Sequence, residues 1–330
     1  MRFGLRLIQW LGQPTHLVEL GVLAEQEGWD EVWFPHDPFM LHTWTLTSAL
    51  AARTERVSIG SVGTNPYTTD PSEIGAYLAT LDLLSSGRAK LGLGLHTDGM
   101  VAWTGYDASD RLERTAAAVD IVRRLLRGEI VTAAGPYRWS RQCHLRFEPL
   151  RPDPPVYVCA YEPDYLELSG EIGDGSLPMI TPPESAARMV AHIRAGIERA
   201  GRSTDDVDVA GCAWLSISPS AGEAAAILRP MVAYFGPYLE EHALAEIGLA
   251  PGDFAPLKQL IDAGDIDAAV AAVTEPMLKL ALVGTPATVI ERIERLADAG
   301  ITQINLGGPL GPDPAESIRL VGRQVIPHFQ

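Results

Sequence analysis

Three short stretches of this chain hold residues able to bind or protonate a small molecule. The first is Gly63-Thr64-Asn65-Pro66-Tyr67, preceded by Val62 and followed by Thr68-Thr69-Asp70-Pro71. Gly63 permits backbone angles that other residues avoid. Pro66 forces Asn65 into an extended conformation. The expected result is a stiff loop presenting the Thr64 and Asn65 side chains and bare main chain; the plainer alternative is a Thr-capped turn ahead of a helix. The second stretch is Phe34-Pro35-His36-Asp37-Pro38. An imidazole beside a carboxylate can supply a proton near neutral pH, whereas two polar residues on a loop would do nothing. The third is Leu95-His96-Thr97-Asp98-Gly99, in which His96 is a candidate proton donor or substrate ligand and Asp98 a weaker one. Gln9 and Trp10, at the end of the first apolar run, are read as lining the same opening.

These stretches need elements to place them. The chain repeats a strand, a turn and a helix. Residues 2–9 alternate and then turn apolar, and a helix over 14–26 stops at Gly28. Glu31-Val32-Trp33-Phe34 reads as a short buried strand, with helix over 44–53. A third strand, 57–62, precedes a helix that Pro71 opens and Ser86-Gly87 stops. A fourth, 89–94, precedes a periodic helix over 109–127. Residues 129–154 break the rhythm and read as an excursion, rich in Arg, Pro and aromatics. Strands near 155–160, 175–179 and 207–217 follow, with helices at 164–172 and 183–201. Residues 219–282 read as a helical insertion low in strand formers. Thr285-Pro286 then caps an amphipathic helix closed by Gly300, ahead of a last strand at 302–306 and a last helix at 313–325.

Eight strand–helix units with no linker-like run predict one α/β domain, a (β/α)8 TIM barrel with excursions at about 129–154 and 219–282. In such barrels the chemistry sits at the carboxyl ends of the strands, where all three stretches fall.

Composition narrows the class. The formal net charge of −16 argues against a phosphate-backbone binder, so no nucleic-acid partner is expected. Cys143, Cys159 and Cys212 are far apart, and the histidines lack paired spacing. Neither a disulfide framework nor a metal site is expected, which fits a reducing cytoplasm. No apolar run reaches the ~18 residues of a membrane span, and the N-terminus reads as a strand rather than a signal peptide.

Several motifs then fall in one order. They are Gly63-Thr64-Asn65-Pro66-Tyr67 with Pro71, Leu81-Asp82-Leu83-Leu84-Ser85-Ser86-Gly87-Arg88, Leu91-Gly92-Leu93-Gly94, Gly170-Glu171-Ile172-Gly173-Asp174-Gly175, Val283-Gly284-Thr285-Pro286, Ala299-Gly300-Ile301-Thr302-Gln303 and Gly308-Pro309-Leu310-Gly311-Pro312-Asp313. Together they resemble the luciferase-like monooxygenase superfamily nearly end to end. The likeness is greatest to its methylenetetrahydromethanopterin reductase branch, which uses coenzyme F420. The resemblance implies an oxidoreductase that moves hydride between a deazaflavin and a small organic substrate, and a homodimer. An FMN-dependent monooxygenase and a cofactor-less ligand-binding barrel are the alternatives.

The resemblance also implies roles. Val62, Gly63, Thr64 and Asn65 would meet the ring, with a cis peptide near Val62–Gly63 bulging against it. Gly94, Ala160, Tyr161, Glu162 and Gly175 would meet the rest of the cofactor, the loop at 160–163 holding its phosphate. His36, Asp37 and His96 would handle protons. Gln9, Trp10, Asp98 and Trp103 would meet substrate, and Tyr137, Arg138, Trp139 and Arg141 could wall its cavity. Three departures stand out. His36 and Asp37 reverse the branch's acid–His order. Glu162 replaces a glycine of the phosphate loop. Arg6 stands where the branch has a catalytic Glu in its first strand.

Overall fold

The computed structural model describes residues 1–36, 38–94, 104–178, 180–239 and 241–330. Four strand–helix units come first: β1 (Arg2–Arg6) with α1 (Pro14–Gln26), β2 (Glu31–Pro35) with α2 (Thr43–Ala51), β3 (Ser58–Thr64) with α3 (Pro71–Leu84), and β4 (Ala89–Gly94) with α4 (Arg111–Leu126). An antiparallel hairpin, β5 (Val131–Ala134) and β6 (Arg138–Cys143), interrupts them. Then come β7 (Val156–Ala160) with α5 (Pro163–Ile172), β8 (Gly175–Pro178) with α6 (Pro183–Arg199), and the long β9 (Asp208–Ile217). A run of helices follows: α7 (Ala221–Phe235), α8 (Glu241–Ala245), α9 (Pro251–Asp262) and α10 (Ile266–Ala271). The chain ends with β10 (Ala281–Gly284), α11 (Pro286–Asp298), β11 (Gln303–Leu310) and α12 (Pro314–Leu320).

Local chemistry explains these boundaries. Proline opens α1, α3, α5, α6, α11 and α12, where its missing N–H costs nothing. Asp70, Thr285 and Asp313 accept hydrogen bonds from the first-turn amides of α3, α11 and α12.

The parallel strands close in the order β1, β2, β3, β4, β7, β8, β9, β11 and back to β1. This is the eight-stranded barrel expected from the sequence. One strand within the 219–282 region and just beyond it was not foreseen. β10 adds to the upper half of β9, pairing Ala281 with Trp214 and Gly284 with Ile217, where β8 no longer runs alongside.

Alternation then sorts the side chains. Phe3, Leu5, Val32, Phe34, Ile59, Leu91, Val156 and Val158 are fully buried between the barrel and its helices. Each such burial contributes about 1.5–3 kcal/mol. The opposite faces fill the barrel. Trp33, Val62, Tyr157, Cys159, Leu177, Ala210 and Cys212 form the apolar part of that interior. Helices α7 to α10 cover a separate core with Trp214, Met231, Phe254 and Leu257.

Candidate active site at the carboxyl ends of the strands

The amino end of the barrel is closed by a polar floor. Lys90 forms an ion pair with Glu31 and also donates to the Tyr157 hydroxyl at 3.2 Å. Glu31 Oε2 accepts from Trp33 Nε1 at 2.8 Å and from Gln303 Nε2 at 2.7 Å. Asp208 accepts from Tyr157 at 2.6 Å and pairs with Arg2. Burial alone would raise the Asp208 carboxyl. The Tyr157 hydroxyl and the Arg2 charge outweigh it and hold the group below its ordinary range. Burial, with the nearby Glu31 and Asp208 charges, pushes the Tyr157 phenol far up, so it stays a donor. Two carboxylates and two cations are satisfied here, far from the strands' carboxyl ends. This floor is structural.

Above it the interior is made of smaller groups. β3 carries the loop singled out in the sequence, and its pairing with β4 slips between Ser61 and Thr64. Gly63 takes φ 71, a left-handed angle that suits glycine, and its N–H meets Cys159 Sγ at 3.1 Å. Thus the bulge exists, but the expected cis bond does not: the cis peptide found among the described residues is Gly308–Pro309. The bend comes from Gly63's dihedral.

Nor does the loop present its side chains as expected. The Thr64 hydroxyl is spent on Ser61 Oγ at 2.8 Å, and Asn65 Oδ1 accepts from the Tyr67 amide at 2.8 Å. Both residues are buried. Distant residues fix the loop in place. Tyr137 donates to Pro66 O at 2.7 Å, Tyr67 bonds Asp110, and the Arg114 guanidinium lies over both rings, 4.5 Å from Tyr67 and 5.3 Å from Tyr137. Tyr137 therefore holds the loop. Arg138 and Arg141 are exposed on the hairpin, and Trp139 packs on the outer core.

His36 follows β2, its amide bonded to Val62 O at 2.9 Å. Its ring stacks on Trp44 at 5.6 Å and meets His42 edge-on at 6.0 Å; Trp44 stacks in turn on Tyr77 at 4.4 Å. His36, His42, Trp44, Thr69, Asp70 and Glu73 line part of a cavity of about 360 Å³. Sequence reasoning missed His42 and Trp44. Their signal was present in His42-Thr43-Trp44, six residues past His36. Asp37, His96, Asp98 and Trp103, proposed above from the sequence, lie outside the described residues.

The remaining candidates separate. Gly94 ends β4 and Ala160 ends β7, both at the mouth, and Tyr161 packs against the interior cluster. Gly94 has its own packing reason to be glycine, since a Cβ there would meet the Cys159 main-chain carbonyl. Glu162 is the N-cap of α5, and the next acid, Asp164, pairs with Arg111 at 3.2 Å.

Gly175 must be withdrawn. It opens β8 at the barrel's amino end, opposite Asp208, and a Cβ on it would stand 2.2 Å from Tyr157 Cε1. It belongs to the floor. Gln9 and Trp10 form a short turn after β1. Trp10 is half-exposed, stacks on Phe235 at 5.1 Å and borders a mostly apolar cavity of about 480 Å³ shared with α7, α9 and α10. Among the described residues no group of His, Cys, Asp and Glu could hold a metal ion, and no helix is long and apolar enough to cross a membrane.

Comparison with known proteins agrees with this geometry. A family model for luciferase-like monooxygenases matches residues 5–303. The 5,10-methylenetetrahydromethanopterin reductase of Methanolobus tindarius is 32% identical, covering 99% of this chain and 100% of that protein. The corresponding reductase of Archaeoglobus fulgidus is also 32% identical, over 93% of this chain and 94% of the relative. The solved structure of the coenzyme F420-dependent tetrahydromethanopterin reductase from Methanopyrus kandleri superposes with a TM-score of 0.93 at 28% identity, covering 100% of this chain and 99% of that one. A barrel closed in this order, bulged at Gly63 and alike over its whole length, places the chain in the luciferase-like monooxygenase family.

Proposed function

We propose that the protein is a coenzyme F420-dependent oxidoreductase acting on a small organic substrate. The observation that carries this reading is the barrel mouth. Its rim follows the β3 bulge at Val62–Asn65 and the glycine end of β4 at Gly94, and the small side chains of Cys159 and Cys212 lie beside Trp33, Tyr157 and Leu177 in the interior below. A flat, rigid ring fits against such a surface. When bound, the deazaflavin supplies or accepts hydride. The chain's part is to hold the ring's plane with the β3 bulge and to exclude water with the loops around it. His36 and His42 stand beside the mouth and can give or take the accompanying proton. The protein is expected to work as a homodimer in the cytoplasm, which sedimentation velocity and fractionation would check.

The test is a spectroscopic titration with F420 and, separately, with FMN. Saturable F420 binding without FMN binding supports the reading. FMN binding with oxygen consumption on turnover would replace it with the monooxygenase, and failure of both would leave a ligand-binding barrel.

Two substitutions sharpen this. Asn65→Ala removes the bond that turns the loop onto Tyr67. Losing about 1 kcal/mol of loop order should weaken F420 binding roughly fivefold, and unchanged affinity would remove Asn65 from the site. Glu162→Gly acts in the opposite sense. A carboxylate at the start of α5 repels a phosphate seated there. In a partly solvated site such repulsion is on the order of 1 kcal/mol, so F420 should bind roughly fivefold tighter. The gain should shrink in high salt. No gain would place the phosphate elsewhere.

A further inference from the structure

Arg6 is the last residue of β1. It follows Arg2 and Gly4 on the inward face, while Phe3 and Leu5 point to the helices. It is 5% exposed. Its guanidinium lies against the backbone of β11: a Cβ built on Gly307, its register partner, would stand 2.5 Å from Nε and 3.1 Å from Cζ. A glycine is required there for the guanidinium to occupy this position. Nε is buried and has no hydrogen-bond partner. Asn305, the inward residue before Gly307 on β11, is 1% exposed, and its Nδ2 is likewise buried without a partner. Its Oδ1 already accepts from Gln303 Nε2 at 3.3 Å.

Two donors on neighbouring inward positions of β1 and β11 are therefore unpartnered, and the one unpartnered buried acceptor beside them on β11, Gln303 Oε1, is neutral. The interior carboxylates are committed to the floor, Glu31 to Lys90 and Asp208 to Arg2. Among the described residues none pairs with Arg6. The nearby Cys212 thiol is no counter-charge, since burial pushes it up to about 11 against the pull of Arg6. A lone buried cation is costly, and such groups persist where they meet an anion. A guanidinium offers paired N–H groups that match a carboxylate in particular.

We propose that Arg6, assisted by the Asn305 amide, anchors the carboxylate of the substrate, which makes this enzyme one for small organic acids. The reducible C=O, C=C or C=N bond would then lie a few bonds from that carboxylate, above the anchor. That the acid is a substrate rests on the F420 reading; the anion site itself does not.

The test uses the full chain, first without F420 and then in a separate F420 titration of wild type and Arg6→Met. Propionate and pyruvate are titrated by calorimetry against wild type, Arg6→Met and Arg6→Lys, with propionamide as the neutral control. Both acids should bind wild type at least tenfold more tightly than propionamide. Arg6→Met should abolish that preference and Arg6→Lys should keep part of it. Arg6→Met should also melt no lower than ligand-free wild type, because it removes an unpaired charge. Equal binding of propionate and propionamide, or acid binding unchanged in Arg6→Met, would overturn the proposal. So would an Arg6→Met effect confined to F420 affinity, which would assign the charge to the anionic reduced ring. Failure of F420 to bind wild type, with acid binding intact, would overturn the reductase reading and leave the anion site standing.

Discussion

Lys90→Met should destabilise the protein by about 3–5 kcal/mol, because it leaves the Glu31 carboxylate buried without its cation. Glu31 is 2% exposed and Lys90 is 8% exposed, so water cannot replace the lost partner. Trp33 and Gln303 would still donate to Oε2, but both are neutral. The Tyr157 hydroxyl would lose a donor as well. The double variant Glu31→Gln with Lys90→Met removes both charges and should recover most of the loss, as replacing a whole buried pair is often close to neutral. Urea unfolding of wild type, Lys90→Met, Glu31→Gln and the double variant measures this as a coupling energy. A loss under 1 kcal/mol in the single variant would mean that the neutral donors alone hold the carboxylate. The barrel floor would then be less electrostatic than its geometry implies.

This floor was invisible in the sequence for a plain reason. Glu31, Lys90, Tyr157, Asp208 and Gln303 come from five strands, and nothing local to any of them announces the others. Proline and glycine punctuation around apolar runs gave the strand–helix units, and their number gave the barrel. β10 escaped because four residues carry no periodicity, and their pairing with β9 depends on where β8 stops.

The β3 loop divides in the same way. Gly63 and Pro66 act through their own backbones, so the bulge could be foreseen. The directions of the Thr64 and Asn65 side chains depend on Ser61 and Tyr67, and the loop's rigidity depends on Tyr137 and Arg114 from far along the chain. Arg6 is a third kind of case. Its inward orientation followed from alternation with Phe3 and Leu5. Its lack of a counter-ion required the closed barrel.

Gly175 shows how a motif can mislead and how to prove it. Its place in Gly170-Glu171-Ile172-Gly173-Asp174-Gly175 suggested a backbone contact with the cofactor, yet the structure puts it against Tyr157 at the other end of the barrel. Gly175→Ala should therefore destabilise the fold by about 2–3 kcal/mol through overpacking. The ring cannot swing aside, because its hydroxyl is tied to Asp208 and Lys90 and its face to Trp33, 5.5 Å away edge-on. A cofactor contact predicts a different pattern. There the melting temperature would hold while F420 affinity fell. The packing account requires a lower unfolding midpoint with unchanged F420 affinity in the folded fraction. Tyr157→Phe in the same background should not rescue stability, since the overlap is with ring carbons. Tyr157→Leu should recover part of it. An intact midpoint in Gly175→Ala would return the residue to the cofactor site and move the chemistry's reach down the barrel.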